Sequence, residues 1–136
     1  DNLDIESIRE QFEVNAIGPL RFTNALLPHL KAGSKVVLMT SRMGSIDDNT
    51  SGGSYGYRMS KVALSMAGKS LSHDLRPEGI AVAILHPGLV STRMTGFTPN
   101  GITPTASVKG LLARIDALTL DNTGTFWHGN GEVQPW

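Results

Sequence analysis

Two short runs constrain this chain more than anything else in it: Lys35-Val36-Val37-Leu38-Met39 and Ile80-Ala81-Val82-Ala83-Ile84-Leu85. Neither alternates apolar with polar, so neither suits a strand with one wet face. A strand apolar on both faces belongs inside a parallel sheet with helices covering each side. Parallel neighbours need a long crossover, and the segment between the runs supplies one. Tyr55 to Leu75 reads as a helix, closed by Arg76-Pro77-Glu78-Gly79.

The remaining elements alternate in the same way. From Asp4 to about Leu30 the chain reads as one long amphipathic helix, with Ile5, Ile8, Phe12, Ala16, Leu20, Leu27 and Leu30 at spacings of three, four or seven. Asp4 is placed to cap it, and Pro19 predicts a bend. A polar, glycine-rich loop runs from Ser41 to Ser54, with Ser51-Gly52-Gly53-Ser54 read as flexible. An irregular stretch runs from Leu89 to Pro104. Thr105 to about Leu118 reads as a third helix and Gly124–Trp127 as a last short strand. Strands alternating with helices give an α/β fold with right-handed crossovers and a parallel sheet.

A doubly wound sheet has two halves, and its glycine-rich phosphate turn follows the first strand. This chain opens on a helix with no such turn before it. Residues 1–136 are therefore expected to form a single partial domain, the C-terminal half of a doubly wound parallel sheet with the N-terminal strands absent. Roughly a hundred residues of the full pattern are missing by that reading. The strand Lys35–Met39 is then left with an unpaired edge, which predicts poor solubility or a need for a partner.

Composition excludes several classes. Twelve basic residues balance twelve acidic ones, so no strong field draws the chain to nucleic acid or an anionic membrane. No stretch is long and apolar enough to span a bilayer, and Asp1-Asn2-Leu3-Asp4 lacks the form of a signal peptide. The expected location is cytoplasmic. With no cysteine there are no disulfides and no thiolate chemistry. The histidines at 29, 73, 86 and 128 show no metal-ligand spacing; of these only His86, beside Pro87, is placed near a candidate site. Trp136, the last residue, reads either as packed or as dangling.

Tyr57 and Lys61 carry the first chemical signal. Positions i and i+4 share a helix face. A phenol titrates near pKa ~10 and is a poor acid–base group at neutral pH unless a cation favours its ionised form. Tyr55 has Met59 four residues on and lacks such a partner. By itself Tyr-x-x-x-Lys is a weak motif, equally at home on a solvated helix face.

Context sharpens it. Ser41 comes directly off the end of a buried strand, where open parallel sheets bind ligands; its bland role is to cap that strand or loop. Pro87-Gly88-Leu89-Val90-Ser91-Thr92 leaves the end of the next strand, as an ordinary turn or as one that brings backbone close to a flat ligand. Asn15 sits mid-helix, where asparagine is disfavoured. Its side chain either bonds a neighbouring carbonyl or solvent, or faces the site and holds a water.

In this order the segments Val14-Asn15-Ala16-Ile17-Gly18, Thr40-Ser41-Arg42-Met43-Gly44, Tyr57-Arg58-Met59-Ser60-Lys61 and Pro87-Gly88-Leu89-Val90-Ser91-Thr92 resemble the short-chain dehydrogenase/reductase family over essentially the whole chain. The wording is most similar to the branch with C-factor and the sniffer-type carbonyl reductases. The resemblance implies a Rossmann fold and an NAD(P)-dependent oxidoreductase moving hydride between nicotinamide and a carbonyl or alcohol substrate. In such an enzyme Tyr57 is the general acid/base and Lys61 tunes it and holds the nicotinamide ribose. Ser41 polarises the carbonyl, and Asn15 supports a water-linked proton relay. Pro87, Gly88, Val90 and Thr92 line the nicotinamide, and the loop from Ser91 to about Pro104 is a mobile lid. The cofactor is NADP or NAD, with NADP favoured, no metal is implied, and the intact protein is expected to be a homodimer or homotetramer. The competing reading is a non-catalytic interaction or signalling protein, or an inactive truncated fragment that keeps the fold.

Overall fold

The computed structural model describes residues 3–136; Asp1 and Asn2, part of the start read as unlike a signal peptide, lie outside them. Three parallel strands, β1 (Lys35–Met39), β2 (Ala81–His86) and β3 (Phe126–His128), stand in the order β1-β2-β3. Lys35 pairs with Ala81 and Met39 with Leu85; Ile84 pairs with Phe126 and His86 with His128. Helices α1 (Ile5–Phe12), α2 (Gly18–Leu26), α3 (Tyr55–Leu75) and α4 (Pro104–Asp116) surround the sheet.

β2 is buried on both faces because each face has its own layer; β1, also expected to be buried, lies at the sheet edge, where only Leu38 is buried and Lys35 and Met39 are exposed. Ala81, Ala83 and Leu85 point to one side, against Leu118, Leu111 and Ile115 at and beyond α4. Ile80 and Val82 point to the other, against Leu71 and Leu75 of α3 and Leu27 and Leu30 after α2. Every residue of β2 is buried. Gly68 lets α3 lie close to the sheet, since a Cβ there would come within 2.7 Å of Ile84 Cγ1. Each fully buried Ile or Leu of this core contributes about 1.5–3 kcal/mol.

The long first helix is not continuous. Between α1 and α2, Glu13–Ile17 forms one turn of π-helix in which the Gly18 N–H donates to the Glu13 carbonyl. The bend expected at Pro19 therefore falls one turn earlier. Proline has no N–H to give the carbonyl of residue 15 and its ring crowds the preceding turn, so the ladder widens ahead of it. Gly18 permits the widening, because a Cβ at that position would sit 2.9 Å from the Glu13 oxygen. Leu27–His29 closes the segment as a 3-10 turn.

Other differences are small. Asp4 caps α1 by accepting from the Ser7 N–H, as expected. The second strand begins at Ala81 and includes His86, and the last runs over Phe126–His128. α4 starts at Pro104 behind a Thr103 cap and stops at Asp116. Trp136 does not dangle. Its carbonyl accepts from the Asp47 N–H at 2.9 Å, and its ring lies 5.6 Å from that of Phe126.

Candidate active site

The carboxyl ends of β1 and β2 lie side by side, and α3 starts above them. The Thr40 N–H donates to the Leu85 carbonyl at 2.8 Å, extending the ladder to the residue before Ser41. Ser41 then turns the chain into a short 3-10 segment, Arg42–Gly44, that packs on α3. Its hydroxyl accepts from the Met43 N–H at 3.1 Å, so the bland capping role is real. The same hydroxyl keeps its own proton to donate elsewhere.

Lys61 is held by the strand end. Its Nζ donates to the Met39 carbonyl at 3.3 Å and its carbonyl accepts from Thr40 Oγ1 at 3.3 Å. Nζ lies 5.7 Å from the centre of the Tyr57 ring, so one turn of α3 presents both groups at the same end of the sheet. Burial pushes the Lys61 ammonium below the ordinary lysine range. Gly44 makes this approach possible, for a Cβ there would stand 2.9 Å from Lys61 Cβ and 3.0 Å from its carbonyl carbon.

Asn15 reaches the same helix by a route neither reading anticipated. It lies in the π-turn, and its Nδ2 donates to Ser60 Oγ at 3.0 Å, which in turn donates to the Tyr57 carbonyl at 2.9 Å. Ser60 is fully buried. The asparagine side chain is thereby committed to holding α3. The Asn15 carbonyl cannot take an α-helical donor from residue 19, because Pro19 has no N–H.

At the end of β2, Pro87 and Gly88 turn the chain away. The Pro87 carbonyl accepts from the buried Ser107 hydroxyl of α4 at 3.0 Å. Gly88 has φ +83° and backs onto the His128 ring, which a Cβ would meet at 3.0 Å. Glycine is required there on both counts. Val90 and Thr92 follow in a loop that is closed on itself. Val90 bridges Ile102, the Ser91 N–H donates to the Ile102 carbonyl, and Thr95 Oγ1 donates to the Val90 carbonyl at 2.7 Å while accepting from the Thr92 N–H. The loop expected to act as a lid is thus tied to itself by its own hydrogen bonds. In the glycine-rich loop ahead of α3, Arg58 donates to Ser51 Oγ and to the carbonyls of Gly52 and Gly53, which ties down a segment read as flexible.

Sequence reasoning gave no role to Ser60 or Gly44, and read His128 as a surface or capping residue. Ser60 is one more small polar residue on a helix rich in them. His86 and His128 are far apart along the chain and become register partners only when β3 lies beside β2.

A nicotinamide ring needs flat backbone at a strand end, a donor for its ribose and a proton-transfer group beside the substrate. The Pro87–Gly88 turn, Lys61 and Tyr57 supply groups of these kinds at adjoining strand ends, so the residues present fit that half of a dinucleotide.

Known proteins agree with the architecture. A 1-hydroxy-2-glutathionyl-2-methyl-3-butene dehydrogenase from Rhodococcus sp. (strain AD45) is 46% identical over 99% of the chain, which spans 61% of that protein. The C-signal protein of Myxococcus xanthus is 47% identical over 99% of the chain and is spanned to 82%. In three dimensions the chain superposes on NADPH-bound carbonyl reductase from chicken fatty liver with a TM-score of 0.93 and 31% identity, over 100% of this chain and 60% of that one. The family model for short chain dehydrogenase matches residues 1–101, and the chain belongs to that family.

Proposed function

We propose that the protein carrying this chain is an NADP-linked carbonyl reductase or alcohol dehydrogenase in which Tyr57 is the general acid/base. The observation that carries the reading is the placement of Lys61 between the Met39 carbonyl and the Tyr57 ring. The cofactor supplies or receives the hydride. Tyr57 gives its hydroxyl proton to the carbonyl oxygen in reduction and takes it back in oxidation. Ser41 donates a second hydrogen bond to that oxygen, stabilising the charge that builds on it. Lys61 holds the ribose, while the Asn15 carbonyl anchors a water that returns a proton toward Lys61. Pro87, Gly88, Val90 and Thr92 line the nicotinamide. NADP is favoured over NAD by likeness to the NADPH-bound chicken reductase.

A homodimer or homotetramer pairing α1 and α3 is part of the same reading. Support comes from exposed Met59 and Met66 on α3 and from exposed Ile46 beside them. Light scattering tests it: a monomer at all concentrations removes this part of the proposal.

A non-catalytic signalling role is the second reading, favoured by likeness to the protein named C-signal. Incubation with NADPH and a panel of aldehydes and ketones, followed by loss of NADPH absorbance, separates the two. Turnover supports the enzyme, and its absence together with absent NADPH binding supports the signalling role.

A further inference from the structure

We propose that His86 is a positioning residue of this site, a neutral imidazole at the end of β2 that fixes the Ser41 turn on one side and the Pro87–Gly88 turn on the other. The inference rests on the site proposed above and assigns a role to a residue which that chemistry leaves unused.

The geometry is specific. His86 is the last residue of β2, buried to 8% exposure, and immediately precedes Pro87. Its Nδ1 accepts the Arg42 N–H at 3.1 Å. Arg42 directly follows Ser41, so the bond sets how the chain leaves the serine. The neighbouring parallel strand places His128 at the same register, with the two rings edge to face and 4.9 Å between centres. His128 is itself fixed, accepting the Asn130 N–H at Nδ1 over 2.9 Å, and its Cε1 and Nε2 lie under Gly88. One imidazole pair therefore supports both strand-end turns. The side chain could do this only as a neutral ring, since a protonated imidazole has two N–H donors and no acceptor for Arg42.

The surroundings keep it neutral. Burial, His128 across the sheet and Arg42 in the 3-10 turn all push His86 down, to about 4, against a weaker opposing pull from Asp48. Asp48 is drawn toward Arg42, with 4.0 Å between Oδ2 and Nε. Across the working pH range the acceptor is present.

Two variants of the natural protein carrying this chain test the role. In His86→Asn the amide oxygen stands near the position of Nδ1 and does not titrate; in His86→Leu the acceptor is gone and the volume is kept. The first readout is hydrogen exchange at the Arg42 amide by NMR, which needs no turnover. Exchange is expected to accelerate at least ~10-fold in the leucine variant and to stay within ~3-fold of the parent in the asparagine variant. The second readout is kcat at saturating substrate, expected to fall roughly 10- to 100-fold with leucine and to recover with asparagine. If the leucine variant does not fold, the pH profile decides: the parent loses kcat as His86 titrates near pH 4, and the asparagine variant does not.

Arg42 exchange unchanged by leucine, asparagine no better than leucine, or an identical acid limb in parent and asparagine variant would each overturn the proposal. A parent that turns over no carbonyl refutes the enzymatic reading instead, and the Arg42 amide then decides on His86 alone.

Discussion

Asn15 Nδ2 donates to Ser60 Oγ across 3.0 Å, joining the π-turn to the helix that carries the tyrosine. The same hydroxyl donates to the Tyr57 carbonyl, so one buried oxygen latches two elements. Ser60→Ala removes both bonds and leaves the Asn15 amide short of a partner, while the Tyr57 carbonyl keeps its place in the helical ladder of α3. A buried polar group left unmade costs about 1–3 kcal/mol. Urea denaturation is expected to show a loss of that size with an unchanged slope; full parental stability in the variant would remove the latch.

Gly44→Ala tests the close approach of the Ser41 turn to Lys61. The three atoms that the new methyl meets, Cβ, the carbonyl carbon and the carbonyl oxygen of Lys61, all belong to backbone or to Cβ, which cannot rotate away. Overpacking of this kind costs about 1–3 kcal/mol. It also pushes the Ser41 turn from Lys61, so turnover is expected to fall at least ~10-fold in the folded variant. Equal stability and equal turnover would show that the turn has slack.

Acid stability follows from His86. Its folded pKa, near 4, lies below the ordinary 6.5, so between these values the unfolded chain binds a proton that the folded one does not. Stability is then complete above about pH 6.5, falls as the pH drops toward 4, and levels off below. The loss is about 2 kcal/mol after allowance for solvent screening. His128 is also lowered, by its own partial burial, and adds in the same direction. Subtracting the denaturation profile of His86→Asn from that of the parent isolates the His86 share; a flat difference from pH 7 to 4 would contradict it.

What the sequence disclosed depended on whether the cause was local or not. The doubly apolar runs and the helix between them are local patterns, and the β1-α3-β2 unit follows from them with boundaries off by one residue. Tyr57 and Lys61 were legible because helix periodicity fixes their relation. Pro19 announced a bend, yet its position one turn upstream depends on how the ladder relieves a missing donor. Ser60, Gly44 and the His86–His128 pair were not legible. Their roles arise where separate elements meet, and nothing in the residues around them marks which small or aromatic side chain will be the one at the junction.

β1 is at the edge of the sheet, beside a groove of about 370 Å³ lined by Phe22, Leu26, Leu30, Val37 and Leu38 among others. An edge strand with an uncovered apolar face templates further pairing. The 136-residue chain by itself is expected to self-associate at micromolar concentration, read by light scattering. A soluble monomer with a sharp cooperative melt would contradict this.

The central claim is that Tyr57 transfers the proton. In the natural protein carrying this chain, Tyr57→Phe keeps the ring against Lys61 and removes only the hydroxyl. NADPH-dependent turnover of an accepted aldehyde is expected to fall by ~10²–10⁴-fold, with NADPH affinity within a few-fold of the parent. Turnover in the phenylalanine variant equal to that of the parent would contradict the account at its centre.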